Sequence, residues 1–294
     1  MLHRFKTYRR QHYSLQDELF DERYYHVFKS RYSEYNLFNP CLGKLLPKNR
    51  RHRWFRSMGS SQALAVSVFG TMMCRNDLQL LTKVLDNNGH PLLLGFVLEG
   101  QPEHPFDYRV TALNEPRPTQ VDLFLPCQKG NVAVECKFWE SELEPCSQVA
   151  KECNGNYSAQ PGRTPGQRCA LTEKRIAYWN YIPRLFHWRA DVDYKPCPIW
   201  KPFQLIRNVL AAAIDPSGKK VWGQPTAVLV YDARNPAFAP GGKIYEQFQR
   251  VQAALCGPAN FKRTTWQAIA GALTEQGGYN DLLAWLDKKY GIKP

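Results

Sequence analysis

The sequence predicts an α/β (α+β) fold in which a central mixed β-sheet is flanked by helices. Three observations predict it. Short apolar, β-branched runs at Val121–Leu125, Val132–Lys137 and Thr226–Tyr231 read as strands. Helical apolar periods precede and follow them, at about 60–74, 203–211 and 243–255. Pro and Gly mark the turn between the first two strands, so an antiparallel hairpin fits there. A chain of 294 residues with 44% apolar content can bury a substantial core.

The elements follow in order. Residues 1–56 carry 13 Lys/Arg against 5 Asp/Glu, a large part of the net +13 of the whole chain. Arg50, Arg51, Arg53 and Arg56 surround Trp54 and Phe55, and Tyr8, Tyr13, Tyr24, Tyr25, Tyr32 and Tyr35 are interleaved earlier. Basic groups neutralise phosphates and aromatics stack on bases, so 1–57 is expected to be a basic arm that contacts DNA. A pI near 9.3 favours the same polyanionic partner. No apolar run approaches the roughly 20 residues of a membrane span, and no signal peptide follows Met1. The expectation is therefore a cytoplasmic protein without membrane contact, whose nine cysteines are reduced.

Ser60 is a preferred N-cap for a helix running to about Cys74; Gln62 in its first turn either faces a cleft or packs in the core. Asp77–Leu85 reads as a second helix stopped at Asn87-Asn88-Gly89. Leu92–Leu98 and Asp107–Leu113 read as strands leading into the hairpin. In the hairpin, alternation puts Glu135 and Lys137 on one face and Val132, Val134 and Cys136 on the other. Asp122 interrupts the partner strand. These charges either form an ordinary salt bridge on an exposed hairpin face or, if buried, must be paired or hold a cation. Phe203–Ala211 is a strong helix: Leu205, Val209 and Ala212 form an apolar stripe, whereas Gln204, Arg207 and Asn208 share another face. After the strand at Thr226–Tyr231 the remainder reads as helical, at Lys243–Leu255, Thr264–Leu273 and Asp281–Tyr290.

An acid, a hairpin turn and then acid-x-lysine resembles the PD-(D/E)xK nuclease superfamily, which includes many restriction endonucleases. The matching residues are Asp122 and Glu135-Cys136-Lys137, flanked by Asn114-Glu115-Pro116-Arg117-Pro118 and by Phe138-Trp139-Glu140. The resemblance runs from about Ser60 to Ala213. It implies a restriction-endonuclease-like core over 58–294 and DNA hydrolysis dependent on Mg²⁺ or Mn²⁺. Asp122, Glu135 and the Cys136 backbone carbonyl would hold the metal, and Lys137 would orient or deprotonate a water. Gln204 and Arg207 would lie on the helix that lends polar groups to the scissile phosphate. Glu115 is either a third acid of the cluster or a loop acid. By analogy alone, a homodimer would cut both strands.

Cys146, Cys153, Cys169 and Cys197 follow the candidate catalytic strand, in a loop-rich insertion around 140–200. Four thiolates could brace such a loop around Zn²⁺ or a 4Fe-4S cluster; no Cys-x-x-Cys knuckle supports either. Widely spaced cysteines beside this core resemble the iron–sulfur nucleases. Two alternatives use the cysteines without the carboxylates: a non-catalytic nucleic-acid-binding module, or a redox or metal-sensing regulator. No Walker loop, dinucleotide fingerprint, His-Glu-x-x-His or serine elbow is present.

Overall fold

Alternating apolar residues set the sheet. In the computed structural model, β1 (Phe106–Val110), β2 (Thr119–Leu125), β3 (Val132–Cys136), β4 (Thr226–Tyr231) and β5 (Asn260–Thr265) form one five-stranded sheet in that order. The structure describes residues 1–93, 97–99, 104–148, 153, 169–192, 194–215, 217–218, 223–257 and 259–294. β1, β2 and β3 pair antiparallel, and β3, β4 and β5 pair parallel, so the sheet is mixed. Parallel neighbours need crossovers. These run through α3 (Ala170–Glu173), α4 (Tyr178–Leu185) and α5 (Phe203–Ala213) before β4, and through α6 (Lys243–Ala254) before β5.

Each face of the sheet buries a separate apolar cluster. Ala133, Ala227 and Leu229 pack with Leu205, Val209, Phe248 and Val251 of α5 and α6. Leu123, Val134, Val228 and Val230 pack on the opposite side with α2 (Ser61–Cys74), α7 (Trp266–Gln276) and α8 (Asn280–Tyr290). The result is an α/β/α arrangement with the sheet in the middle. Helix α2 begins where its cap dictates: the Ser60 hydroxyl accepts from the Ala63 N–H at 3.1 Å.

Three segments differ from the sequence expectation. Thr264–Leu273 is not one helix: β5 ends at Thr265, whose hydroxyl then caps α7. Its Asn-Phe-Lys-Arg-Thr-Thr sequence hides a sheet-edge strand, since a strand with one neighbour needs no continuous apolar run. Asp77–Leu85 forms only a 3-10 turn at Leu78–Thr82. Of the expected Leu92–Leu98 strand, Leu92 and Leu93 are described outside any strand and residues 94–96 lie outside the described residues.

The N-terminal 57 residues pack onto the body. Phe5 and Tyr8 of α1 (Leu2–His12), with Phe20, Phe28, Leu46 and Phe55, join the same cluster as α2, α7 and α8. Asn36 clasps this segment: its Nδ2 donates to the Phe55 and Ser57 carbonyls, each at 2.6 Å, and its Oδ1 accepts from Lys289 Nζ at 2.8 Å. Burial holds the Lys289 pKa well below the usual lysine value. No described helix is long and apolar enough to cross a membrane.

Candidate active site

The hairpin register brings the acids together. Leu123 pairs with Val134 and Phe124 with Ala133, so Asp122 comes opposite Glu135 one step further along. Both point to the side of the sheet that α5 covers, because strand side chains alternate. Asp122 Oδ2 accepts from the Cys136 N–H at 2.7 Å. Glu135 is nearly sealed, and both of its oxygens are held. Oε1 accepts from Gln204 Nε2 at 2.6 Å and from Lys137 Nζ at 2.9 Å, and Oε2 accepts from Asn208 Nδ2 at 2.9 Å. One turn of α5 separates Gln204 from Asn208, which is why a single helix face can grip one carboxylate. Trp266 Nε1 donates to the Lys137 carbonyl at 2.8 Å and fixes the end of the strand from the other layer.

The electrostatics follow from this crowding. Burial raises the Asp122 pKa well above the usual carboxylate value; the Glu135 charge adds to the rise, and Lys137 and the Cys136 amide oppose it. Burial works against the Lys137 ammonium, yet Glu135, Glu140 and Asp122 together outweigh it and hold its pKa above the usual lysine value. The cluster is therefore a firm lysine cation facing more carboxylate than it can neutralise. Such a donor set suits a hard divalent cation: two carboxylates offer oxygen ligands, and Mg²⁺ keeps several waters of its own. Among the described residues, no group of three or more His, Cys, Asp or Glu side chains is arranged to hold a metal ion. A site built from two carboxylates and a backbone carbonyl falls below that number.

The other expected residues lie elsewhere. Glu115 belongs to a network of its own: it accepts from the Thr119 N–H at 2.6 Å, from the Thr119 hydroxyl and from the Tyr178 hydroxyl, and Arg207 Nε lies 3.6 Å from it. Arg207 also donates to Thr119 Oγ1 at 2.8 Å and lies over the Phe203 ring. Arg51 is spent on structure, donating to Glu34, Ser33, Gly43 and Leu46. Arg56 is tied to Asp21 and the Phe28 carbonyl, each at 2.9 Å. Arg53 is exposed and lies over the Trp54 ring, whereas the Arg50 charge faces Asp107.

Asp107 escaped the sequence reading. It occupies the β1 position across from Asp122, between the Phe106–Leu123 and Tyr108–Val121 pairs. Gln120 Nε2 and Gln62 Nε2 donate to its two oxygens at 2.8 and 3.2 Å, and Gln62 Oε1 in turn accepts from the His52 N–H. Gln62 is thus buried and bonded toward this edge of the sheet. Burial pushes the Asp107 carboxyl up to about 6. The signal was available: Phe106-Asp107-Tyr108 sets an acid in an apolar strand, the same anomaly that singled out Asp122.

The matching family model settles the kinship. It covers residues 43–291 and is described as REase-ARP, restriction endonuclease associating with ARP. The chain belongs to the REase-ARP family. No curated protein and no solved structure matches it significantly. The mixed sheet flanked by helices is consistent with the restriction-endonuclease-like core that the REase-ARP match implies.

In this REase-ARP chain the four cysteines after β3 share one region, but no three of them are arranged to hold a metal ion, so the expected four-thiolate site is not formed among the described residues. Cys146 N–H donates to the Trp200 carbonyl at 2.9 Å, and Trp200 N–H donates to the Cys197 carbonyl at 3.2 Å. Cys146, Cys169 and Cys197 are buried in the cluster beneath α4 and α5, and Cys153 is half-buried. Burial pushes the Cys197 thiol up to about 12, and the neighbouring Cys169, Cys153 and Cys146 add to the rise. Residues 154–168 of the expected loop-rich insertion lie outside the described residues.

Proposed function

We propose that this REase-ARP protein is a Mg²⁺- or Mn²⁺-dependent endonuclease of the PD-(D/E)xK type that hydrolyses DNA phosphodiester bonds. One observation carries the reading: Asp122 and Glu135 meet across the hairpin, with the Lys137 ammonium 2.9 Å from Glu135. Asp122, Glu135 and the Cys136 carbonyl would hold the cation, which supplies Lewis-acid charge at the phosphate and acidifies water. The chain's own groups do the rest. Gln204 and Asn208 keep the Glu135 carboxylate turned to one orientation. Lys137, held charged by its neighbours, donates a hydrogen bond to the attacking water and offsets charge developing on the phosphate. A raised pKa suits it to that role better than to removing a proton. Water attacks phosphorus, the bond to the 3′ oxygen breaks, and a 5′-phosphate and a 3′-hydroxyl result. Arg207 would meet a phosphate oxygen on giving up its contacts with Glu115 and Thr119.

Asp122→Ala and Lys137→Ala should each abolish Mg²⁺-dependent nicking of supercoiled DNA while DNA binding persists. A variant that cuts as fast as the parent would sink the assignment. A homodimer would place two such sites on two strands, a proposal from symmetry that sedimentation on DNA tests. A second reading, a nucleic-acid-binding module braced by Zn²⁺ or a 4Fe-4S cluster, would need the four thiols to converge on one metal. Elemental analysis and visible absorbance of the purified protein test the metal. Retention on DNA in EDTA, with no cutting under any divalent ion, would select that reading over the nuclease.

A further inference from the structure

Beside the acidic cluster lies an aromatic cavity of about 370 Å³, whose wall includes Tyr24, His26, His52, Trp54, Trp139 and Glu140. Its large rings are left partly in solvent: Tyr24 is 45% exposed, Trp54 43% and Trp139 38%. Scattered apolar exposure is ordinary, but two indoles and a phenol around one concavity point to a ligand with flat faces. The backbone is cut back to admit Trp139: a Cβ on Gly59 would lie 2.6 Å from the indole. His26 Nδ1, in the same wall, is buried and has no hydrogen-bond partner. A flat ligand with a polar edge fits both features.

A basic cavity of about 220 Å³ adjoins this one and shares His52 with it. Lys48, Arg51, Arg53 and Arg56 line it. Glu34 and Asp21 offset part of that charge through Arg51 and Arg56, and the balance is positive. The aromatic cavity also abuts the acidic cluster through the chain itself, since Trp139 and Glu140 follow Lys137 directly. His52 is linked to Asp107 through Gln62.

We propose that the aromatic cavity receives one unpaired base of the strand that carries the scissile phosphate, stacked on Trp54 and Trp139. A phosphate of that strand sits in the basic cavity on the other side of His52. The substrate class is therefore single-stranded or locally unpaired DNA. In a duplex both faces of a base are covered by its neighbours, so a pocket that stacks on a face excludes paired bases. The inference rests on the nuclease reading only for the location of the scissile phosphate.

The test reads binding without metal. In EDTA, a labelled deoxyoligonucleotide is titrated as a single strand and as its full duplex, by anisotropy and by tryptophan fluorescence. The single strand should bind tighter than the duplex and quench the tryptophan emission. Trp54→Ala should weaken single-strand binding roughly 5- to 150-fold, the span of one base–aromatic stack. Trp54→Phe should restore most of it, and duplex binding should be unchanged in both variants. Duplex bound as tightly as single strand, or Trp54→Ala binding like the parent, overturns the proposal. Selective single-strand binding in a protein that never cuts removes the nuclease reading and leaves this pocket standing. Mg²⁺-dependent cutting with no effect of Trp54→Ala does the reverse.

Discussion

Asn208 offers a direct test of how α5 builds the acidic cluster. Its Nδ2 donates to Glu135 Oε2 at 2.9 Å, and both residues are buried. The other carboxylate oxygen already has Gln204 and Lys137, so Asn208→Ala strips Oε2 of the donor described for it. A hydrogen bond to a charged group contributes about 1.5–3 kcal/mol. Taking about 2 kcal/mol, at about 2–4 °C per kcal/mol for a domain near this size, the melting temperature should fall by about 4–8 °C. Losing a residue that orients a metal ligand costs about 10–100-fold in metal affinity or activity, so the Mg²⁺ concentration for half-maximal nicking should rise by that factor. Asn208→Asp sharpens the test. It keeps the volume but sets a second carboxyl at hydrogen-bond distance from Glu135, and like charges that close cannot both ionise. While the new acid holds its proton it can donate as the amide did; once the proton leaves, it repels. Asn208→Asp should therefore approach parental nicking at low pH and lose it as pH rises, while Asn208→Ala is impaired throughout. The experiment is thermal denaturation together with nicking against Mg²⁺ concentration and pH. If both variants melt and cut like the parent, α5 does not position Glu135 and the geometric argument fails.

Three further outcomes are expected. Lys137→Met leaves Asp122 and Glu135 without their cation, a loss of about 3–5 kcal/mol; added Mg²⁺ should raise the melting temperature of this variant more than that of the parent, and equal shifts would refute the charge argument. Asp107 keeps its proton in the fold up to about pH 6, against an ordinary value of 3.8, so the native state binds more protons than the unfolded chain in that window. Stability should fall as pH rises between those values, by up to about 3 kcal/mol; urea unfolding should show that fall diminished in Asp107→Asn, and an identical slope would refute it. Arg51→Ala, which removes donors to four partners, should lower stability measurably, whereas Arg53→Ala should leave stability alone and reduce the salt slope of DNA binding by about 1; the reverse pattern would exchange their roles.

Much of the sheet was legible because its signals are local. The hairpin strands, β4 and α5 each carry their own period, and Ser60 announces α2 with a single cap. β5 was hidden because its strand state is imposed by pairing with β4, residue against residue from Asn260 to Thr265. The burial of N-terminal aromatics was hidden for a related reason. Tyr8 and Phe55 sit among basic residues without a period, and only α2, α7 and α8 supply the surface that buries them. A basic residue beside an aromatic one reads the same whether it meets DNA, as the exposed Arg53 can, or is consumed inside, as Arg51 is.

The sequence by itself determined that Asp122, Glu135 and Lys137 would be charged residues in apolar strands, because a period of two and a Pro–Gly turn leave them few other places. It also determined the polar face of α5. Only the tertiary structure decided which groups these charges meet: Asn208 and Gln204 grip Glu135, Asp122 takes the Cys136 amide, and Glu115 departs to Thr119, Tyr178 and Arg207. The reason is range. Alternation and capping act over a few residues, whereas a buried carboxylate takes its partners from whichever layers the folded core presses against it.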